Sequence, residues 1–261
     1  MSDTASRAAA LLLAARHDPA QRLADLPAEL RPDDRAAAYA IQHQVAGQLG
    51  PIGGWKVSPF QPDGPPFCGP LPQSGILPSP ARLASAVFHL RGVEAELAVR
   101  LGRDLPPRGA PYSRTELADS ITAFHPAIEV LQSRFLEPEA VALLTGLADT
   151  HAHAAFVHGA PVAEWRGVVL STETVVQVVD GVLNATHTGL PGGDLLGQLV
   201  WLANVGSVWA GGLKSGQFVT TGSWTGASRV GPAARVRVAF ASLGAAALDF
   251  AAPAPGLPPA D

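Results

Sequence analysis

Two glutamates stand two residues apart in the most restrictive stretch of this sequence, the run VEAELAV at positions 93–99. Side chains alternate between the two faces of a β-strand, so Glu94 and Glu96 would lie on one face and the apolar residues on the other. Two like charges on one face repel each other, and burial makes both harder to ionise. The run therefore predicts a strand that needs water, a proton, a basic side chain or a divalent cation beside its carboxylates.

The composition narrows the class of protein. Hydrophobic residues make up 47% and charged residues 15% of the 261 positions, which is apolar for a monomer and is consistent with a buried subunit interface. The length allows one large domain or two small ones. The net charge of −4 and the lack of a basic stripe argue against a nucleic-acid partner. Cys68 is the single cysteine, which excludes an intrachain disulfide and a cysteine-based metal cluster.

Apolar runs in the sequence are too short to span a membrane. The run at 8–15 predicts an amphipathic helix rather than the core of a signal peptide, because Asp3 precedes it and no small-residue cleavage site follows it. We therefore expect a cytoplasmic protein with no membrane partner.

Periodicity and turn signals divide the chain into helices and short strands. Helices are predicted over 4–17 and 33–49, the second capped by Asp33 or Asp34, and the Pro- and Gly-rich residues 59–80 are predicted to form one long loop. The remaining predicted elements are strands at 86–90, 93–101, 126–131, 154–158, 168–170, 235–241 and 246–250, helices at 113–120, 137–146 and 194–210, and a hairpin turning at Asp180-Gly181. Because the strands do not alternate regularly with helices, we expect a β-rich α+β fold.

A third acid, Glu129, lies in the apolar run PAIEVL at 126–131. A lone carboxylate in such a run is rarely buried without a partner. Glu94, Glu96 and Glu129 can supply three oxygens to one hard cation such as Mg²⁺. The alternative is that Glu94 and Glu96 lie on the solvent-exposed face of an edge strand, while Glu129 forms an ion pair with Arg134 or another arginine. Spacing alone favours neither interpretation.

Two further segments carry polar groups that could serve a site. Lys56 lies among glycines, Trp and Val, where it could bind a carboxylate or stabilise an enolate, although a surface lysine beside Trp55 is the commoner arrangement. Residues 213–226 are a strand followed by a turn rich in Gly, Ser and Thr, which exposes backbone N–H groups and hydroxyls to an anion. Such turns are frequent and are weak evidence by themselves.

Taken in order, these motifs resemble the fumarylacetoacetate hydrolase superfamily, and most closely its branch of 2-keto-4-pentenoate hydratases and 2-oxo-3-enedioate decarboxylases. The resemblance spans roughly residues 50–250 and depends most on the E-x-E pair and the later glutamate. The motifs that carry it are GWKV (54–57), VEAELA (93–98), PAIE (126–129), Asp149, GD (193–194), WLAN (201–204), LKSG (213–216) and TGSWTG (221–226). The resemblance implies a mixed β-roll with the N-terminal helices packed outside it, usually in a homo-oligomer.

The resemblance also implies roles for individual residues. It implies that the three glutamates bind Mg²⁺ or Mn²⁺ and that Lys56 is an active-site lysine. It implies that Asp149 is an acid near the pocket. The substrate's carboxylate would be held by the turn that contains Ser223 and Thr225.

The sequence departs from the family pattern after Asp149, where it reads DTHAHA at 149–154. If His151 and His153 belong to one strand they share a face, and either could be a general acid or base. We place His153 ahead of His151 as the residue that reaches the pocket. The predicted catalytic set is therefore Lys56, Asp149 and His153.

These residues imply metal-dependent hydration of a 2-hydroxy-2,4-dienoate to a 4-hydroxy-2-oxo acid, in the catabolism of aromatic compounds. The alternatives are decarboxylation of a 2-oxo-3-enedioate, hydrolysis of an acylpyruvate, and a non-catalytic metal-binding partner subunit. Hydrolysis ranks third because residues 57–88 contain neither the His nor the Glu that such hydrolases place on a short lid. The expected organisation is a helical segment at 1–50, a catalytic β-roll at 51–250 and a flexible tail at 251–261.

Overall fold

The computed structural model describes residues 3–62 and 64–251. Its α-helices are α1 (Asp3–His17), α2 (Arg35–Gln48), α3 (Arg114–Ala118), α4 (Leu143–Ala148) and α5 (Leu195–Trp201). Its strands are β1 (Ile52–Val57), β2 (Cys68–Pro72), β3 (Ile76–Pro78), β4 (Ala81–Ala84), β5 (Gly92–Leu101), β6 (Ile121–Leu131), β7 (His153–His158), β8 (Thr174–Val179), β9 (Val182–Thr188), β10 (Phe218–Ser223), β11 (Ser228–Arg229), β12 (Arg235–Phe240) and β13 (Gly244–Ala251). None of the helices in this part of the chain is both long and apolar enough to cross a membrane.

The strands form two mixed sheets. The larger sheet has the order β2-β1-β10-β5-β6-β7-β3, with β11 added beside β5, and the smaller has the order β4-β13-β12-β8-β9. Parallel pairs (β1 with β10, β3 with β7, β4 with β13) occur among antiparallel ones. The fold is thus the β-rich, mixed architecture that the sequence predicted.

The main hydrophobic core lies on one face of the larger sheet. Val93, Ala95, Leu97 and Val99 of β5 point into it and are fully buried, together with side chains from β8, β12 and β13 of the smaller sheet. The alternation of β5 then directs its two glutamates to the opposite face. That opposite face carries the candidate site.

Helices α1 and α2 pack against each other around a second apolar cluster that includes Leu12, Ile41 and Phe135. Asp34 caps α2 by accepting a hydrogen bond from the Ala37 amide at 2.7 Å. It is one of the two residues that the sequence predicted as the cap of this helix. The division of the chain at residue 50 stays a prediction. Of the predicted flexible tail, residues 252–261 lie outside the described residues.

Several segments differ from the sequence prediction. The expected loop at 59–80 contains β2 and β3; β2 includes two prolines but is an edge strand, where the missing N–H groups are tolerated. Residues 86–90 and 168–170 are not strands, because these short apolar runs pack on the core without a neighbouring strand to pair with. In place of the helix predicted at 137–146, the structure has only the short helix α4. In place of the helix predicted at 194–210, it has α5, which is followed by a π turn and a 3₁₀ turn. The hairpin at Asp180-Gly181 is confirmed, with the two positive φ values (51° and 82°) that its turn type requires.

Candidate active site

Three glutamates meet on the face of the larger sheet that lies opposite the main core. Strands β5 and β6 pair antiparallel with Glu94 directly opposite Glu129, and Glu96 follows two residues along the same face. One carboxylate oxygen from each lies within 4.8 Å of the other two. Glu129 is fully buried and Glu96 is 2% exposed, so the register of two strands gathers three acids in a largely dry place.

Among the described residues, the hydrogen bonds of these carboxylates leave one buried oxygen without a partner. Glu96 accepts hydrogen bonds from the Thr220 hydroxyl and, at 3.1 Å, from the Gly222 amide. Glu129 Oε1 accepts from Lys56 Nζ at 2.6 Å and contacts His153 Nδ1 at 3.2 Å. Its second oxygen, Oε2, is buried and has no hydrogen-bond partner among the described residues. A buried carboxylate oxygen without a donor is expected to face a cation or a water.

The electrostatics of the cluster also favour a cation. Burial, followed by repulsion from Glu129 and Glu94, raises the pKa of Glu96 well above its usual value, and burial and Glu129 raise that of Glu94. Burial would also raise the pKa of Glu129, but Lys56 and His153 hold it at about 2. Burial opposes the charge on Lys56, yet attraction from the three carboxylates outweighs it and raises the pKa, so Lys56 is an ammonium.

A divalent ion fits this donor set. The three carboxylates carry more negative charge than the single ammonium of Lys56 can balance. In addition, Oε2 of Glu129 has no hydrogen-bond donor among the described residues. Oxygen-only ligands with room for water or substrate suit a hard cation such as Mg²⁺ or Mn²⁺. Lys56 donates to Oε1 of Glu129 and does not occupy Oε2, which keeps no donor among the described residues.

The cluster opens into a pocket of about 290 Å³. Its polar and charged lining includes Lys56, Glu94, Glu96, Ser223 and His151. Its apolar lining includes Val57, Pro59, Phe67, Cys68 and Leu131. The pocket therefore combines a charged cluster with a substantial apolar surface.

The structure reverses the expected order of the two histidines. His151 lines the pocket, whereas His153 is fully buried behind Glu129, to which it is hydrogen-bonded. The prediction assumed that both lie on one strand. Strand β7 begins only at His153, and residues 150–152 form a turn, so the alternation rule does not apply to His151.

Asp149 does not face this pocket. Its buried carboxylate accepts hydrogen bonds from the Arg134 guanidinium, the Arg134 amide and the Ser133 hydroxyl. Asp149 supplies the counter-charge that the buried Arg134 requires, and its predicted catalytic role stays a prediction.

Of the two hydroxyl residues predicted to hold the substrate, Ser223 lines the pocket and Thr225 does not. The Ser223 hydroxyl is buried at the pocket, beside the Glu94 carboxylate. The Thr225 hydroxyl accepts a hydrogen bond from the Ala95 amide and donates one to the Gly226 carbonyl, so it joins β5 to the turn instead of lining the pocket. Thr220, which the sequence pattern did not single out, donates to Glu96 because β10 lies beside β5.

The β-rich mixed roll that the sequence resemblance implied is also the fold of several solved structures. Among solved structures, 4-oxalocrotonate decarboxylase from Pseudomonas putida G7, complexed with calcium and acetate, superimposes with a TM-score of 0.80 at 20% identity, covering 95% of this chain and 98% of that one. The same enzyme complexed with magnesium and adipate gives 0.78 at 19% identity, covering 94% and 97%.

A more distant structure is fumarylpyruvate hydrolase from Pseudomonas aeruginosa in complex with Mn²⁺ and pyruvate, with a TM-score of 0.57 at 15% identity, covering 76% of this chain and 89% of that one. No family model matches the sequence, and no curated protein matches it. At such identities these likenesses establish the fold, and the chemistry must be argued from the site.

Proposed function

We propose that this protein is a metal-dependent lyase that hydrates a 2-hydroxy-2,4-dienoate to a 4-hydroxy-2-oxo acid. The observation that carries the proposal is the cluster of Glu94, Glu96 and Glu129, with its unpartnered Oε2, beside the Lys56 ammonium at the polar end of one pocket. A carboxylate and the neighbouring 2-oxygen of a 2-oxo acid form a bidentate anionic ligand that suits such a centre.

Glu94, Glu96 and Glu129 would hold Mg²⁺ or Mn²⁺. When bound, the ion would act as a Lewis acid that stabilises negative charge on the oxygens of the 2-oxo acid. The Gly222 amide and the Thr220 hydroxyl keep Glu96 oriented toward the cluster, and His153 does the same for Glu129. Such supporting hydrogen bonds fix the geometry of metal ligands.

Lys56 is the group best suited to the substrate's 2-oxygen. Its ammonium is held by Glu129 at 2.6 Å and by the His151 carbonyl at 3.4 Å. A fixed ammonium next to a developing oxyanion stabilises it without reorganisation at the moment of reaction. In the proposed reaction the dienol loses its 2-hydroxyl proton and gains one at carbon 5, and water then adds at carbon 4 of the resulting unsaturated ketone.

The apolar lining of the pocket supports a substrate whose far end is uncharged. Lys56 and a divalent ion together only balance the three carboxylates, so the cluster has no surplus positive charge for a second carboxylate on the substrate. A second carboxylate against Phe67, Pro59 and Leu131 would lose its hydration without gaining a partner. This favours hydration of a monocarboxylic dienoate over decarboxylation of an enedioate.

The test is a product assay on purified protein with Mg²⁺. We expect 2-hydroxypenta-2,4-dienoate to be converted to 4-hydroxy-2-oxopentanoate, and EDTA to abolish the conversion until Mg²⁺ is restored. The dicarboxylic 2-oxo-3-hexenedioate should release CO₂ far more slowly. Rapid CO₂ release would favour the decarboxylase, cleavage of an acylpyruvate would favour the hydrolase, and Mg²⁺ binding without turnover of any of these compounds would favour a non-catalytic partner subunit.

A matched pair of variants separates the site from the fold. Glu96→Gln keeps the size of the side chain but removes a charged ligand, and it should abolish turnover. Glu164→Gln makes the same change at an exposed position and should leave turnover unchanged. Equal activity of the two variants would contradict the proposal. The expected homo-oligomer and cytoplasmic location remain predictions alongside it.

A further inference from the structure

The segment that brings His151 to the pocket has an unusual backbone. Thr150, His151 and Ala152 have consecutive φ values of 54°, 47° and 59°, which is a full turn of left-handed conformation made by residues with side chains. Such residues rarely adopt this conformation even singly. A run of this kind persists only where the surrounding structure fixes it, and it is typical of functional sites.

Buried arginines fix the turn at both ends. Arg134 donates hydrogen bonds to the carbonyl of Asp149, before the turn, at 2.8 Å and to that of His153, after it, at 3.1 Å. Arg16 of α1 donates to the His153 carbonyl as well, at 2.9 Å. The side chain of Asp149 neutralises the Arg134 guanidinium. The Arg134–Asp149 pair therefore holds the ends of the turn.

The turn directs two groups of His151 toward the reaction site. Its carbonyl accepts a hydrogen bond from Lys56 Nζ at 3.4 Å, and its imidazole lines the pocket with its edge against the Phe67 ring, 5.6 Å between centroids. The Nε2 atom is buried and has no hydrogen-bond partner among the described residues. Burial and then Lys56 lower the pKa of His151 to about 4, although Glu129 raises it, so the ring is neutral at pH 7 and one of its two nitrogens is unprotonated.

The other candidate groups near the pocket are already engaged. His153 is hydrogen-bonded to Glu129, and Asp149 pairs with Arg134. Burial raises the pKa of the Cys68 thiol to about 12, so it remains protonated. Among the described residues that line the pocket, the His151 imidazole is left as an uncommitted neutral base.

We infer that His151 is the acid and base that moves the proton between water and carbon 3 of a 2-oxo acid. The inference rests on the proposed function for its substrate class. As water oxygen bonds to carbon 4, the π electrons of the carbon 3–carbon 4 bond shift to form the enolate, and His151 takes the proton that the water loses. His151 then returns this proton to carbon 3 as the enolate collapses to the ketone. Water is added overall, and His151 ends neutral as it began.

The test uses a saturated substrate, so that it does not depend on hydration. With 2-oxopentanoate and Mn²⁺ in D₂O, the wild type should exchange its carbon 3 hydrogens, as followed by NMR. His151→Asn should slow this exchange about 100-fold or more, the loss expected for a general acid–base group. Asn tolerates the left-handed backbone, so the turn is preserved. His17→Asn, at an exposed histidine, is the matched control and should exchange at the wild-type rate.

Two further measurements distinguish proton transfer from a structural role. Mn²⁺ affinity, measured by calorimetry, should be the same in His151→Asn and the wild type. In His151→Ala, added imidazole should restore part of the exchange, because it can occupy the space of the missing ring.

Exchange by His151→Asn at the wild-type rate would overturn the inference. The inference would also be overturned if His151→Asn lost both Mn²⁺ binding and exchange, or if the wild type itself showed no exchange. If the wild type exchanges in a His151-dependent way but hydrates no dienoate, the proposed function is wrong and the inference about His151 stands.

Discussion

Replacing Asp149 by Asn should destabilise the protein strongly, because it removes the counter-charge of a buried arginine. The Arg134 and Asp149 side chains are 3% and 4% exposed, so solvent cannot take over the lost interaction. Arg16 lies close by, and burial and then Arg134 lower its pKa to about 9. The variant would thus leave two guanidinium groups together with no carboxylate between them.

The magnitude follows from the geometry. Breaking a buried ion pair by removing one partner costs about 3–5 kcal/mol. Asparagine retains one oxygen that can accept from the Arg134 guanidinium, so we expect the lower end, about 3 kcal/mol. For a chain of this size that corresponds to a fall of roughly 6–12 °C in the unfolding temperature. The loss is large compared with a total stability of about 5–15 kcal/mol.

The assay is thermal and urea unfolding followed by circular dichroism. The double variant Asp149→Leu with Arg134→Met should recover most of the lost stability, because replacing both members of a buried pair by apolar residues is often close to neutral. If Asp149 instead served as a solvent-facing catalytic acid, Asp149→Asn would unfold at the wild-type temperature. That result would refute the structural role of the Arg134–Asp149 pair.

Other variants test the site and the turn independently. Lys56→Met should lower kcat for dienoate hydration by about 10²–10³-fold without weakening Mn²⁺ binding, since it removes a cation that competes for Glu129; weaker binding would contradict this. Ala152→Gly should stabilise the protein by roughly 0.5–1 kcal/mol in urea titrations, because relief of the left-handed backbone exceeds the entropic cost of glycine, and a destabilised variant would argue against strain at the turn. Mg²⁺ at about 100 times its dissociation constant should raise the free energy of unfolding by about 2.7 kcal/mol, an increment that Glu129→Gln should remove and whose persistence would place the ion elsewhere.

Much of the fold could be predicted because its signals are local. The alternation of β5 fixes which face carries Glu94 and Glu96, and the Asp180-Gly181 turn fixes the β8–β9 hairpin. The edge strands β2 and β3 could not be predicted in the same way. They are short, contain proline, and exist because β1 and β7 offer them a pairing edge, which for β3 comes from a distant part of the chain.

The site was predictable where it depends on strand register and less so where it depends on a turn. Glu129 lies opposite Glu94 because both occupy regular strands. The positions of His151 and Asp149 depend on three left-handed residues and on Arg134, which are long-range features with no local sequence signature. Alternation, applied through that turn, placed His153 in the pocket where His151 is found.

The central claim is that Glu94, Glu96 and Glu129 bind one divalent ion for chemistry on a 2-oxo acid. The most direct measurement is anomalous diffraction from crystals soaked with Mn²⁺ and pyruvate. We predict one strong peak bounded by an oxygen of each glutamate, including Glu129 Oε2, with pyruvate bound to it on the side of Lys56. A peak elsewhere, or none at these carboxylates at saturating Mn²⁺, would contradict the account.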